Sequence, residues 1–333
     1  DPEAGSRYDR LLCFDIRKRR LMARSTDLHK IIEQLTERLV PIVRNAFRAA
    51  IADVVDNVIL TDLIKAIEAN DYQRAFRVLG MSDAAMRPLT AALGTVLETG
   101  GNAVAATFPT VALNGVRGVF RFDVRNTQAE EWLRSQSSSL VTRVQEDARV
   151  AVMNTLQAGL EEGNNPRSTA LDIVGRINVA TGKREGGLVG LDQNQELWVR
   201  NARRDLMTGD YANYLQRVRR DARFDSVVQE AMKSGKPLTQ DQIDKLIGRY
   251  KDRLLQLRGE NIARTETIQG LNRSQFEAMR QANEQGAINV RDTYKEWDSA
   301  GDSRVRDSHR HMDGKRVRID EPFVTPDGEK MMH

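Results

Sequence analysis

Apolar residues recur at intervals of three and four through most of this chain, a spacing that predicts helices. From Ser25 the stretch STDLHKIIEQLTERLVPIVRNAFRAAIADVVDNVI sets Leu28, Ile31, Ile32, Leu35, Leu39, Ile42 and Val43 along one face of an amphipathic helix. Pro41 falls inside that pattern, where its missing donor and its ring either kink the rod or start a second helix. His29 sits beside the stripe and reads as a surface or boundary residue. Short helices are predicted at 61–69 and 71–79, parted by Ala69-Asn70-Asp71. The next segment, from Met81, is rich in Ala and Gly, and its small side chains permit close contact between helices.

Between Phe108 and Asn126 the pattern gives way to FPTVALNGVRGVFRFDVRN, whose Gly, Pro and Asn mark a loop with a short strand. A domain boundary is drawn there, between a helical N-terminal region, 1–126, and a second region, 127–333. The second region opens with a helix over 127–163, for which Thr127 and Glu130 form a capping box. NNPRSTALDIVGRIN reads as a turn into another helix, and TGKREGGLVG as a flexible loop ending near Leu191. Two helices follow up to Lys236. Then one long helix, or two in line, is capped by Thr239 with Gln242 and stopped by Gly286. Beyond Gly286 the runs VRDTYKEW, KRVRID and PFVTPDGEKMM are short and β-prone, with PDG as a turn. The predicted fold is mainly α with a small C-terminal α+β module: long amphipathic helices to 286, then short strands and turns over 287–333.

A chain of 333 residues is long enough for about two domains. Its one cysteine, Cys13, can close no internal disulfide, so the fold does not depend on an oxidising compartment. Set among Leu11, Leu12 and Phe14, Cys13 reads as a small apolar packing residue. No apolar run nears the roughly 18 residues of a membrane span, so a soluble chain without membrane insertion is expected. The start lacks Met and the end at EKMMH has no terminal element, which reads as a piece of a longer or processed polypeptide.

The net charge is only +4, from 51 basic and 47 acidic residues, and identifies no partner. Its local clusters are more informative. Arg17, Lys18, Arg19 and Arg20, and again Arg203, Arg204, Arg217, Arg219 and Arg220, are candidates for non-specific contact with double-stranded DNA phosphates. The interleaved Asp205, Asp210 and Asp221 equally fit a solvated helix face.

Chemistry concentrates in DSRVRDSHRHMDGKRVRID, residues 302–320. His309 and His311, with Asp302, Asp307 and Asp313, offer nitrogen and oxygen donors, and a metal-dependent nuclease would use Asp302, His309 and His311. Histidines at i and i+2 share a face only in a strand and diverge by about 200° on a helix. The alternative is a turn-rich scaffold in which arginine forks bind nearby carboxylates, His309 is a hydrogen-bonding post and Asp313-Gly314 makes a tight turn before KRVRID. There is no nucleotide-binding Gly loop, no Ser-His-Asp elbow and no HExxH. No catalytic residue, metal ligand or cofactor is assigned.

One ordered succession stands out. Ile262-Ala263-Arg264-Thr265-Glu266-Thr267 lies on a helix, followed by Asn272 and Gly286, then Lys295 and Trp297, then Asp302, Arg304, Arg306, His309, Asp313 and Gly314, and finally Phe323 and Gly328. In that order these pieces resemble the phage Mu F-like head morphogenesis family, the minor head proteins of tailed bacteriophages. GLVGLDQNQELWVRNARRDL is similar to the family's lead-in, so the resemblance runs over 186–333 and is strongest from 259. Two departures accompany it. Family members often continue into a Pro-Gly-Asp turn and an Asn-Cys-Arg-Cys segment, and the family pattern does not require His311.

The resemblance implies a minor capsid protein of few copies, made in the host cytoplasm and kept in the virion. It would sit in the capsid interior near the portal vertex during procapsid assembly. The implied partners are the phage portal protein, the major capsid or scaffolding protein and double-stranded DNA, with effects on DNA packaging, retention or ejection. The motif residues would be structural, and no reaction is implied. Residues 1–126 carry no resemblance and are read as helices that dock on portal or coat; a third reading, a carrier for an effector domain, finds no toxin-like pattern there.

Overall fold

The run Arg10–Asp15, read from the sequence only as apolar packing around Cys13, forms strand β1 of a sheet. This computed structural model describes residues 10–15, 22–108, 111–113, 116–289, 291, 293–299 and 305–331. After β1 come helices α1 (Met22–Asp56), α2 (Leu60–Glu68), α3 (Tyr72–Leu79) and α4 (Arg87–Ala105). Strands β2 (Val111–Leu113) and β3 (Val116–Gly118) lead to α5 (Thr127–Glu161) and α6 (Pro166–Val174). Strands β4 (Arg176–Ile177) and β5 (Arg184–Glu185) precede α7 (Gln193–Thr208), α8 (Tyr211–Leu215), a 3-10 turn (Ala222–Phe224), α9 (Asp225–Ser234) and α10 (Gln240–Glu284). The end comprises β6 (Thr293–Asp298), α11 (Asp307–Arg310), β7 (Arg316–Arg318), β8 (Phe323–Val324) and β9 (Lys330–Met331). The fold is mainly α, with short antiparallel strands and a small α+β end, as the pattern predicts.

Two compact units divide the chain. One gathers Asp1–Arg44, Thr90–Ser137 and Asn261–His333; the other gathers Asn45–Leu89 and Ser138–Glu260. Helices α1, α5 and α10 each contribute residues to both.

In the first unit, Leu28, Ile32, Leu35, Leu39 and Val43 of α1 are buried, following the predicted stripe. Ile42 departs from it and is 43% exposed, one residue off the line that Val43 continues. Pro41 lies inside a helix that continues through it. The small residues of α4 bring it close to α10, as expected. A Cβ on Gly100 would stand 2.1 Å from Ser274 Oγ and 2.8 Å from Leu271 Cδ2, and one on Gly270 would stand 2.7 Å from Val96 Cγ1. Helix α5 starts one residue earlier than its capping box suggests. Asn126, not Thr127, is the cap: its Oδ1 accepts from Gln128 N at 3.2 Å, and its carbonyl accepts from Glu130 N at 2.9 Å. Thr127 is the first helical residue.

Gly286 stops α10 as predicted. At φ 71° it reaches the left-handed region, its amide donates to Asn283 O at 2.9 Å, and Ala287 N donates back to Ala282 O at 2.7 Å. These two bonds satisfy carbonyls that the helix end would otherwise orphan. Beyond it, β6 is the middle strand of a sheet ordered β1-β6-β7, with Cys13 opposite Lys295 and Lys295 opposite Val317. The Pro326-Asp327-Gly328 turn joins β8 to β9.

In the second unit, a core of Leu188, Leu191, Val199, Leu206, Tyr214, Val228, Ile247 and Leu254, among others, binds α7, α8, α9 and the first half of α10. The Ala69-Asn70-Asp71 break between α2 and α3 forms as predicted: Asn70 takes φ 52° and the Asp71 carboxylate accepts from Arg74 N at 2.8 Å. The Thr239 and Gln242 box is reciprocal, with Thr239 N donating to Gln242 Oε1 at 2.8 Å and Gln242 N to Thr239 Oγ1 at 3.3 Å. The loop expected at TGKREGGLVG contains instead one arm of a hairpin, with Arg176 opposite Glu185 and Ile177 opposite Arg184. Between Leu191 and Lys236 there are three α-helices and a 3-10 turn where two helices were expected.

Candidate functional site

The motif residues divide between the C-terminal half of α10 and the sheet module after it, all within the first unit. On α10, Arg264 is exposed and Thr265 half-buried, while Glu266, Thr267, Ser274, Gln275, Glu277 and Gln281 are almost wholly buried, and Asn272 is 8% exposed. Burying polar groups is costly without partners; Thr267 Oγ1 and both side-chain polar atoms of Gln275 have none among the described residues, but several others do. Glu266 Oε2 accepts from Gln136 Nε2 at 2.7 Å, and the same amide donates to Gln269 Oε1 at 2.8 Å. Gln281 forms a two-bond clamp on the backbone of Asp123, accepting from its N and donating to its O, both at 2.9 Å. Glu277 lies between two guanidiniums, Arg273 at 2.5 Å and Arg280 at 2.8 Å. Burial lowers the pKa of the Arg273 guanidinium, and the Glu277 charge opposes that shift.

In the sheet module, Trp297 is the hub. Its indole is 6% exposed and meets His309 and Phe323, each edge-on at 5.3 Å between centroids with planes at 87°. The strand residue two before it, Lys295, is wholly buried, its Nζ 5.3 Å from the Phe323 ring centroid and 5.9 Å from that of Phe276. An ammonium over aromatic faces is attracted by their quadrupoles. Gly314 N donates to Trp297 O at 2.8 Å and Trp297 N to Lys315 O at 2.9 Å, so the Asp313-Gly314 turn is stitched to β6 by backbone bonds. Asp313 Oδ1 accepts from both the amide and the hydroxyl of Ser299, at 2.8 and 2.9 Å.

Three arginines of the 302–320 stretch meet nearby carboxylates. Arg316 pairs with Glu296 at 2.7 Å across β6 and β7, Arg318 grips Asp320 at 2.6 and 3.1 Å, and Arg310 donates to Asp307 at 3.1 Å and to Val305 O at 3.2 Å. Arg306 precedes α11 as an exposed residue whose carbonyl accepts from Arg310 N. Asp302 and Arg304 lie outside the described residues. His309 is half-buried on α11 against Trp297, whereas His311 follows the helix and is exposed. Among the described residues no three His, Cys, Asp or Glu groups converge as a metal site.

The basic clusters fare differently. Arg17, Lys18, Arg19 and Arg20 lie outside the described residues. In the second unit, Arg203 bridges Asp172 at 2.9 Å and Asp244 at 2.8 Å, Arg217 holds Asp205 at 2.5 Å, and Arg220 holds Asp225 at 2.8 Å. Arg204 and Arg219 are exposed, and Arg204 donates to Asn201 at 2.9 Å. Of the interleaved acids, Asp205 and Asp221 are ion-pair partners, of Arg217 and Arg223, whereas Asp210 caps α8 by accepting from Asn213 N at 3.3 Å. Sequence reading missed the network that Arg203 joins through Asp172 and Asp244. Lys251, wholly buried, donates to Asp172 O at 3.0 Å and Oδ1 at 3.1 Å, while Arg176 joins through Asp244 at 2.7 Å. Burial alone would raise the Asp172 carboxyl, but Lys251 and Arg203 outweigh it and hold its pKa low. Burial lowers the Lys251 ammonium, against the pull of Asp172.

Residues 222–331 match the model of the family described as phage Mu protein F like protein. This chain carries a Mu F-like region. The match covers about a third of the chain, takes in the module built on Trp297 and the whole of α10, and begins after the lead-in stretch Gly187–Leu206. Neither a curated protein nor a solved structure matches the chain. The Mu F-like region links the protein to bacteriophage head morphogenesis. No described helix is long and apolar enough to cross a membrane.

Proposed function

We propose that this protein is a minor capsid protein that docks at the portal vertex inside the phage head and acts there without catalysing a reaction. The observation that carries the reading is the Mu F-like match over 222–331. The arrangement of its motif residues supports a structural role. Trp297, His309 and Phe323 pack together, Asp313 closes a turn, and Glu266 is spent on a hydrogen bond to Gln136. The portal protein is the primary partner, with major capsid or scaffolding protein as the neighbouring surface.

Double-stranded DNA is a second, non-specific partner. The exposed Arg204 leads that contact, because Arg203, Arg217 and Arg220 are committed to carboxylates; Arg219 and the Arg17 to Arg20 cluster are the other candidates. Binding through phosphates weakens steeply with salt, since each neutralised phosphate releases counterions. The decisive experiment is co-expression with portal and coat proteins followed by affinity purification of this chain, alongside mass spectrometry of purified virions. Retention of portal and detection in virions are expected. Failure of both, or metal-dependent DNA cleavage lost in His309→Ala, overturns the reading.

A further inference from the structure

Within the second unit, the last turns of α1, the β4–β5 hairpin and residues 249–255 of α10 enclose a cavity of about 480 Å³. That volume is in the range of sites that take a ligand group. Half-buried Ala52 and Leu255 supply its accessible apolar wall, backed by the buried Ile51, Val55, Val174 and Val189, and Arg48, Lys183 and Arg184 also line the cavity. The hairpin is held firmly against α10. A Cβ on Gly186 would stand 2.7 Å from Gly248 Cα, so the two backbones touch, and Gly186 N donates to Asp252 Oδ1 at 2.7 Å.

The charges around this cavity do not balance. Its two acids are already used: Glu185 accepts from Arg249 at 3.1 Å and from Asn178 at 3.0 Å, and Asp252 accepts the Gly186 amide with Arg249 at 3.6 Å. Asp56 nearby is spent on the Arg184 amide at 3.0 Å, and Arg184 itself uses Nη1 on Gly175 O at 3.1 Å. Arg48 and Lys183 are exposed, and among the described residues neither side-chain cation has a carboxylate partner. The hairpin also exposes Ile177 (60%) and Val179 (98%), neither of which lines this cavity. Uncompensated cations beside an aliphatic wall suit a ligand that is both anionic and apolar.

We propose that this cavity is a docking site for an acidic segment of another protein, which seats one aliphatic side chain against Ala52 and Leu255 and sets its carboxylates against Arg48 and Lys183. A peptide fits better than nucleic acid. Among the described residues no aromatic side chain lines the cavity to stack a base, and single-strand sites rely on such platforms. The proposal goes beyond the head-assembly reading, since it holds for whichever protein supplies the segment.

The test uses the full chain and a fluorescently labelled, end-capped Asp-Asp-Leu-Asp-Asp peptide, followed by polarisation. Controls are the same peptide with Ser for Leu, its Lys-flanked counterpart and a short DNA duplex. Saturable binding below about 1 mM is expected for the Leu peptide, falling at least tenfold (~1.4 kcal/mol) in Arg48→Glu/Lys183→Glu and with Ser for Leu. Both substituted residues are exposed, so the double variant should keep its circular dichroism and melting temperature. Absence of saturation, equal binding by the double variant, or equal binding by the Ser peptide overturns the proposal. So does duplex binding that the double variant loses while the Leu peptide fails to bind. None of these outcomes depends on portal retention, so the two readings fail separately.

Discussion

The imidazole of His309 stands edge-on to the indole of Trp297, 5.3 Å between centroids, and Phe323 meets the same indole with the same geometry. An edge-to-face pair contributes about 0.5–1.5 kcal/mol beyond area burial. His309→Ala should therefore cost about 1 kcal/mol in urea unfolding, and His309→Phe, which keeps a ring edge in place, should cost less. Trp297→Ala empties the hub and should cost about 3–5 kcal/mol. The contrast also separates scaffold from catalyst. If His309→Phe keeps its stability yet loses the protein's role in assembled heads, a purely structural His309 is wrong.

Helix α4 lies so close to α10 that Gly100 has no room for a methyl group. Gly100→Ala places a Cβ 2.1 Å from Ser274 Oγ, with Ser274 Cβ and Leu271 Cδ2 at 2.9 and 2.8 Å. Overpacking of this kind costs roughly 1–3 kcal/mol. Adding Ser274→Ala removes the shortest contact and should recover part of that loss, visible as a partial return of the unfolding midpoint. A double variant no better than Gly100→Ala would show that the backbones, not the hydroxyl, set the spacing.

Asp172 is the counterion of a wholly buried lysine. Asp172→Ala leaves Lys251 buried without its carboxylate and should destabilise by about 3–5 kcal/mol, whereas exchanging both partners for apolar residues, Asp172→Leu with Lys251→Met, should cost far less. Arg203 keeps Asp244 in either variant, which limits its own loss. Unfolding free energies of the three proteins decide the point. Equal losses in the single and double variants would mean that packing volume, not charge, dominates.

Much of this architecture is legible in the chain because its helices are long and their apolar spacing repeats many times. The Asn70 break, the Thr239 and Gln242 cap and the Gly286 stop were readable because each uses a residue type with one strong local role. The misses have physical causes too. Asn126 and Thr127 can both cap a helix, so their adjacency is ambiguous until the backbone is seen. Strands β4 and β5 are two residues each, too short to show a period. Nothing in the local sequence marks Gln275 and Glu277 as buried, because burial depends on elements far off in sequence. The cavity beside Arg48 unites three such distant segments and leaves no local signal. In the candidate module the succession from Arg264 to Gly314 was visible, but which arginines make the forks was not, since Arg316 meets Glu296 only through strand register.

Acid sensitivity follows from a different pair. Arg223 grips Asp221 by its side chain at 2.6 and 2.9 Å and by its amide at 3.3 Å, and this holds the Asp221 carboxyl down at about 2. An unfolded aspartate titrates near 3.9, so the folded state favours the ionised form. The resulting stability is present above about pH 4 and is lost as pH falls through the folded value. Asp172, also held low, acts in the same direction, whereas burial raises Asp252, whose contribution is instead lost as pH rises. Asp221→Asn can keep the backbone bond to Arg223 while removing the charge. Wild type should therefore melt above Asp221→Asn at pH 6, and the gap should close between about pH 4 and pH 2 as the wild-type carboxyl is protonated. Melting temperatures of both proteins across that range measure it, and a gap that stays constant down to pH 2 would show that the Asp221 charge contributes nothing to stability.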